Sequence, residues 1–259
     1  MVRPKKFLGQ HFLKDKGVAL RIVESLIFSE GVNYVVEIGP GTGVLTQYLL
    51  SNPVIDLQVV EIDRESVAWL SEHYPDLHGK IIQGDFLELE LAKLFNEKLF
   101  IIGNFPYNIS SQIFFKILDH RNQIDQVVCM IQKEVADRIA EKEGTKIYGI
   151  LSVLLQTYYD IEFLFKVPPG VFFPPPKVMS GVIRLVRNQR EKLECDEVLY
   201  RRVVKQAFQT RRKTLRNALK SLNLHSSIYK LDIMDKRAEQ LSVEQFISLT
   251  KEIEKSGEA

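Results

Sequence analysis

The chain reads as an open, mostly parallel α/β sheet followed by a small all-helical domain. Three observations carry that reading. Short apolar runs alternate with helix-like segments through the first two-thirds of the sequence. A glycine-rich turn at residues 39–43 follows the first of those runs. Beyond a polar stretch at 187–196 the apolar spacing turns helical: Leu215, Ala218, Leu219 and Leu222 fall at i, i+3, i+4 and i+7. The expected division is 1–190 for the sheet domain and 191–259 for the helical one.

The strands are expected at 34–38, 57–62, 80–83, 99–103, 126–131, 161–167 and 180–186, and most gaps read as helices, for example 16–28, 43–50, 65–72 and 110–120. The last gap is different. It holds Pro168-Pro169-Gly170 and Pro174-Pro175-Pro176, which a helix interior excludes. Without a crossover helix, the final strand is expected to run antiparallel. The helical domain should expose Arg212, Lys213, Arg216 and Lys220 beside its apolar stripe.

With 259 residues, 45% apolar and 26% charged, the composition is that of a globular protein. No apolar run reaches membrane-spanning length, and no apolar segment follows the basic start, so neither a membrane anchor nor a secretory signal is expected. Cys129 and Cys195 stand alone, which offers no metal-ligand spacing and no disulfide framework and fits the cytoplasm. The net charge of +2 says little, but its distribution says more. Arg201, Arg202, Lys205, Arg211, Arg212, Lys213, Arg216 and Lys220 follow one another with no acid between them. Arg3, Lys5, Lys6, Lys14 and Lys16 form a second cluster. Such clustering suits a polyanion, although a solvated helix face has the same composition.

Chemistry gathers at the expected strand ends, where open α/β sheets hold ligands. Glu37-Ile38-Gly39-Pro40-Gly41-Thr42-Gly43 allows close backbone approach to a ligand, with a spacing unlike the dinucleotide fingerprint. Glu61 ends the second strand at the distance expected of a ribose-binding carboxylate. Asp85 ends the third, placed to accept an adenine amino proton while Phe86 packs on the ring. Asn104-Phe105-Pro106-Tyr107 ends the fourth: an amide and a turn carbonyl to accept from an exocyclic amine, and a ring to stack on a planar base. Taken singly, each acid also suits a helix cap, and the tetrapeptide an ordinary proline turn. Together they point to a nucleoside with an amino-acid tail, S-adenosylmethionine.

These residues, with Phe7-Leu8-Gly9-Gln10-His11-Phe12-Leu13, Gly84-Asp85, and the segment from Phe172 to Val178, resemble the rRNA adenine N6-dimethyltransferases, most of all the small-subunit branch. The likeness extends from Phe7 into the C-terminal helices. It implies a Rossmann-like, S-adenosylmethionine-dependent methyltransferase domain that uses no metal. The implied reaction is dimethylation of two adjacent adenines in the 3′-terminal hairpin loop of 16S rRNA, by a monomer acting on the small subunit or its precursor. By the same resemblance His11, Leu13, Gly39, Gly41, Glu61, Asp85, Phe86 and Asn104 hold the cofactor. Asn104 and the Phe105 carbonyl hold the amine, and Tyr107 and Phe172 close on the flipped base. Arg211, Arg212, Lys213, Arg216 and Lys220 track RNA phosphates. Two positions depart from the family pattern: His11 stands for its usual Asn, and Phe105 for its usual Leu. The competing readings are a 23S rRNA adenine methyltransferase, a DNA adenine methyltransferase, and a non-catalytic ribosome assembly factor.

Overall fold

Strands covered on both faces need apolar residues at nearly every position, and the middle of this sheet is built that way. The computed structural model describes residues 2–28, 30–31 and 33–257. Its strands are β1 (Phe12–Leu13), β2 (Asn33–Ile38), β3 (Ile55–Glu61), β4 (Ile81–Gln83), β5 (Leu99–Asn104), β6 (Ile124–Gln132), β7 (Tyr159–Val167), β8 (Phe172–Phe173) and β9 (Ser180–Arg187). In β6, every residue from Gln126 to Ile131 is buried. Seven strands form one sheet in the order β4-β3-β2-β5-β6-β9-β7. Neighbours from β4 to β6 are parallel, and β9 runs antiparallel to β6, from Gln126 opposite Val186 to Gln132 opposite Ser180.

The chain steps outward from β2 to β3 and β4, then returns to the other side of β2 with β5. The strand order therefore reverses between β2 and β5, which opens a crevice at their carboxyl ends. Gly103 permits close packing there, because a Cβ at that position would lie 2.4 Å from the Ile38 carbonyl oxygen.

Helices α1 (Lys16–Glu24), α2 (Thr46–Leu50), α3 (Arg64–His73), α4 (Leu91–Leu94), α5 (Ser110–Asp119) and α6 (Lys133–Ala140) lie between the strands. Asp15 caps α1 by accepting from the Val18 N–H at 2.9 Å, and Ala19, Ile22 and Val23 form its buried face. The helix stops short of the expected residue 28 for a visible reason. The Gln126 amide on β6 accepts from the Ile27 N–H at 2.9 Å and donates to its carbonyl at 2.8 Å, which holds that backbone out of the helix. The start of α2 is delayed to Thr46 by the turn that carries Gly41 and Gly43 at φ of 59° and 85°. Among the described residues, no helix is long and apolar enough to cross a membrane.

The chain folds as two compact units, Met1–Ala136 with Asp160–Arg187, and Asp137–Tyr159 with Asn188–Ala259. The sequence expects a single break at 190/191; in the structure Asp137–Tyr159 also packs with the C-terminal residues. In the second unit, α7 (Ile150–Gln156), α8 (Glu197–Gln209) and α10 (Val243–Gly257) form the main packed layer, and α9 (Leu215–Ala218) is one short turn. Tyr200, Val203, Val204, Ala207 and Phe208 are the buried stripe of α8, and the Tyr200 hydroxyl meets Thr157 Oγ1 at 2.8 Å.

Residues 168–176 hold an element with no counterpart among the expected strands: Phe172 and Phe173 form β8, which pairs antiparallel with β1 through Phe12 opposite Phe173 and Leu13 opposite Phe172. One expectation needs correction. The basic stretch at 211–220 is no continuous helix. The α8 helix ends at Gln209, Arg211–Lys213 lie in a turn, α9 spans only Leu215–Ala218, and a 3₁₀ turn follows at Lys220–Leu222. The break follows from pairing across the unit: the Leu215 N–H donates to the Lys236 carbonyl at 2.8 Å, and Thr214 bridges Arg237. Leu215, Ala218 and Leu219 are buried as the stripe requires.

Candidate active site

Residues at the carboxyl ends of β2, β3, β4 and β5 line one cavity of the first unit, about 910 Å³ with its open mouth included. Gly39 and Gly41, Glu61, Asp85 and Phe86, and Asn104 to Tyr107 all reach it, together with His11 and Phe12 of the N-terminal segment. Leu13 does not. Its side chain is in the core, and it borders a smaller adjoining cavity with Glu37, Gly39, Thr42 and Asn104.

The glycine turn is a cradle. Gly39 has φ 65° and nothing within 4 Å of where a Cβ would project, so the space beside its backbone is open. At Gly41 a Cβ would strike the Phe12 ring at 2.9 Å, and at Gly43 the Tyr74 ring at 2.4 Å. These glycines let the N-terminal segment and Tyr74 close upon the turn.

Glu61 is buried, and its carboxylate braces the site. One oxygen accepts from the Gly41 N–H at 3.0 Å, the other from the Asp63 N–H at 2.9 Å. Burial raises its pKa, and these N–H donors oppose the rise. Glu37, also buried, accepts from the Thr46 hydroxyl at 2.7 Å; desolvation pushes its pKa up to about 8. Asp85 is half-buried and caps the following 3₁₀ turn through the Leu87 N–H at 2.9 Å, which leaves its second oxygen uncommitted to that cap. Asp85 therefore serves as a cap while it also lines the pocket. Phe86 is buried beneath it.

Asn104 is oriented by its own amide. Its Nδ2 donates to the His11 carbonyl at 2.8 Å, so Oδ1 is the atom left to accept. The Phe105 N–H donates to the Met130 carbonyl at 3.0 Å, and its ring is buried against Phe114. Pro106 has no N–H, and among the described residues no backbone donor engages the Phe105 carbonyl. Two acceptors thus stand free at one strand end. The Tyr107 hydroxyl meets Ser180 Oγ at 2.5 Å, and its ring stacks on His11 with centroids 5.6 Å apart and planes at 28°. The His11 Nδ1 lies 2.7 Å from the Pro174 carbonyl oxygen.

Phe172 requires a correction. The sequence assigns its ring to one face of a flipped base, but the ring is 1% exposed within the core and does not line the cavity. Alternation along β8 explains this: Phe172 points inward, and Phe173, 55% exposed, points outward.

Several groups escaped sequence reasoning. The Lys5 ammonium pairs with Asp63 and Glu65, and Gln10 Nε2 reaches Asp63 at 3.4 Å, which fastens the N-terminal segment to the end of β3. Desolvation works to raise the Asp63 pKa, but the bonds from Lys5, the Glu65 N–H and Gln10 outweigh it and hold the group low. The Lys116 ammonium donates to the Leu87 carbonyl at 2.9 Å and to the Leu89 carbonyl, and lies 5.6 Å from the Phe86 ring centroid, bracing the loop after Asp85. Ser180 opens a strand, and no local pattern marks it. Among the described residues, no group of three His, Cys, Asp or Glu is arranged to hold a metal.

Of the expected basic residues, Arg211, Arg212, Lys213 and Lys220 are exposed. Arg216 is half-buried and committed: its guanidinium bonds Asp235 at 2.7 and 3.0 Å and also the Tyr229 carbonyl.

A family model described as "Ribosomal RNA adenine dimethylase" matches residues 1–255. The chain is 57% identical to the "Ribosomal RNA small subunit methyltransferase A" of Cytophaga hutchinsonii, over 96% of each protein. It is 56% identical to the protein of that description from Flavobacterium johnsoniae, over 99% of this chain and 98% of the relative. In fold it is similar to a dimethyladenosine transferase from Plasmodium falciparum, with a TM-score of 0.80, 24% identity, and 95% and 98% of the two chains covered. It is also similar to the 23S rRNA methyltransferase ErmE, with a TM-score of 0.62, 25% identity, and 92% and 99% covered.

Proposed function

The chain belongs to the ribosomal RNA adenine dimethylase family, and we propose that it dimethylates the N6 amines of two adjacent adenines in the 3′-terminal hairpin loop of 16S rRNA. Its activity is S-adenosylmethionine-dependent methyl transfer to rRNA adenine. Its substrate is the small ribosomal subunit or a precursor, met in the cytoplasm by a single copy of the chain.

The observation that carries this reading is the pair of free acceptors, Asn104 Oδ1 and the Phe105 carbonyl, next to the Tyr107 ring. An adenine amine is a weak nucleophile because its lone pair is delocalised into the ring. Two acceptors drawing on its hydrogens favour the pyramidal form, in which the lone pair is exposed. When bound, S-adenosylmethionine supplies an electrophilic methyl sulfonium. The chain's own contribution is orientation and electrostatics, with no covalent intermediate. Tyr107 stacks on the extruded base, an interaction worth roughly 1–3 kcal/mol. That offsets much of the few kcal/mol needed to unstack a loop base.

Glu61 accepts from the ribose hydroxyls, and Asp85 with Phe86 receives the cofactor adenine. Gly39 and Gly41 let the backbone approach. His11 and Leu13 border the methionine end, where Asn104 meets both ligands. Arg211, Arg212, Lys213 and Lys220 contact phosphates, which supply affinity and position but not base identity.

The test is mass mapping of methylated adenines in 16S and 23S rRNA after incubating subunits from cells lacking the protein with labelled S-adenosylmethionine. Paired dimethyladenosines near the 16S 3′ end are expected. Methylation in 23S rRNA alone, or binding without transfer, would replace the reading with one of its competitors.

A further inference from the structure

We propose that Ser180 and His11 are positioning residues that fix Tyr107 as a platform with one usable face. The inference rests on the reading of Tyr107 as the base-stacking residue and extends it to groups outside the tetrapeptide.

A tyrosine on a turn can ordinarily swing about its χ angles, and a swinging ring makes a poor stacking surface. Here the ring is held at two places. Its hydroxyl is 2.5 Å from Ser180 Oγ. Ser180 is fully buried at the start of β9, where it sits opposite Gln132 of β6. The adjoining backbone is pinned as well, since the Lys133 N–H donates to the Met179 carbonyl at 2.9 Å. The phenol tip is therefore anchored to the body of the sheet. Burial raises the Tyr107 pKa, which keeps the phenol protonated for that bond.

His11 covers one face of the ring and is fixed in turn. Its Nδ1 bonds the Pro174 carbonyl, and its own carbonyl receives the Asn104 amide. A base stacking on Tyr107 has only the opposite face available. One residue thus orders both the platform and the amide beside it. The bond from Asn104 goes to the His11 backbone, so a change of the His11 side chain removes the ring contact and the Pro174 bond but leaves the Asn104 bond in place.

The experiment measures small-subunit methylation at steady state, with cofactor affinity by calorimetry and melting temperature as controls. The variants are Ser180→Ala, Tyr107→Phe, their double, His11→Ala and His11→Phe. Ser180→Ala and Tyr107→Phe should each lower kcat about 3- to 10-fold, the scale of one hydrogen bond, with cofactor affinity unchanged. The double should be no worse than the poorer single, because both remove the same bond. His11→Ala should lower kcat, and His11→Phe, which keeps a ring on Tyr107, should recover most of the loss. Multiplicative effects in the double, wild-type kcat in Ser180→Ala, or cofactor affinity falling in step with kcat in Ser180→Ala or Tyr107→Phe would overturn the proposal. Should Ser180→Ala not fold, Tyr107→Phe and the His11 pair still decide it: wild-type kcat in all three overturns it. Tyr107→Ala separates the two levels. Near-normal transfer in that variant removes the stacking reading itself. Loss of transfer there, with normal Ser180→Ala and Tyr107→Phe, removes only the positioning role.

Discussion

The carboxyl edge of the sheet and the basic stretch at 201–220 hold their polar groups in opposite ways. At the sheet edge Glu37 and Glu61 are buried and each is tied to a fixed donor: the Thr46 hydroxyl, the Gly41 N–H, the Asp63 N–H. In the basic stretch Arg211, Arg212, Lys213 and Lys220 are exposed, and Arg216 is anchored to Asp235. The first region has its order before any ligand arrives, so its groups act through geometry. The second offers charge on exposed side chains, and a polyanion can order it on contact. Sensitivity to mutation should differ accordingly: steep and specific at the sheet edge, shallow, graded and salt-dependent in the basic stretch.

The largest effect is expected at Asn104. Asn104→Ala removes an oriented acceptor, and methyl transfer should fall by about 10²–10³-fold, the scale for losing one preorganised polar contact to the transition state. Asn104→Asp should fail to a similar extent, because a carboxylate cannot donate to the His11 carbonyl. Single-turnover rates check both variants, and an Asn104→Asp enzyme of normal rate would show that orientation by His11 is dispensable.

Glu61 comes next. Glu61→Ala leaves the Gly41 and Asp63 N–H groups without their acceptor and, on the proposed reading, the cofactor ribose hydroxyls as well. Cofactor affinity should weaken by about 1.5–3 kcal/mol, the range for bonds to charged groups. Calorimetry on the folded variant measures this, and an unchanged affinity would mean that the carboxylate only braces the turn.

A smaller effect should appear with pH. Glu37 has a folded pKa of about 8, against 4.5 for the free side chain, chiefly because burial disfavours its charge. The folded state therefore holds this proton more tightly than the unfolded chain. Its contribution to stability is complete below about pH 4.5 and is lost as pH rises through about 8. In Glu37→Gln that dependence should disappear. Melting temperatures of the two ligand-free proteins should diverge between about pH 5 and 8, with the wild type losing ground; parallel curves would place the Glu37 pKa near its ordinary value.

The same contrast decides what could be read from sequence. All seven strands of the main sheet were legible, β5 and β6 as apolar runs that burial requires, β4 and β7 as shorter or mixed runs that are only partly buried. Glu61, Asp85 and Asn104 followed as the residues at strand ends. Partners that meet them from distant segments were not legible. Nothing near Tyr107 points to Ser180, nor does anything near Asp63 point to Lys5. Phe172 was misassigned because a two-residue ladder with β1, invisible as periodicity, decides which ring of the pair faces inward. The basic helix was overextended because Lys236 and Asp235, about twenty residues further on, take the Leu215 N–H and the Arg216 side chain.

The smallest and most selective effects belong to the basic stretch, where that last correction sharpens the expectation. Arg212→Gln and Lys220→Gln remove exposed charges and should leave the melting temperature unchanged. Each should weaken binding to the small subunit and reduce the slope of log affinity against log salt by about 0.7–0.9 if it contacts a phosphate. Arg216→Gln should behave in reverse. It loses a pair with Asp235 that is 41% and 70% exposed at its two ends, so stability should drop, but by no more than about 1 kcal/mol. Its salt slope should change less than that of Arg212→Gln, because its charge is already partly neutralised. Cofactor affinity should survive all three substitutions. If Arg212→Gln and Lys220→Gln bind and methylate normally at physiological salt, the stretch is a solvated surface, and the RNA is held elsewhere, with the Arg3, Lys6, Lys14 and Lys16 cluster the next place to test.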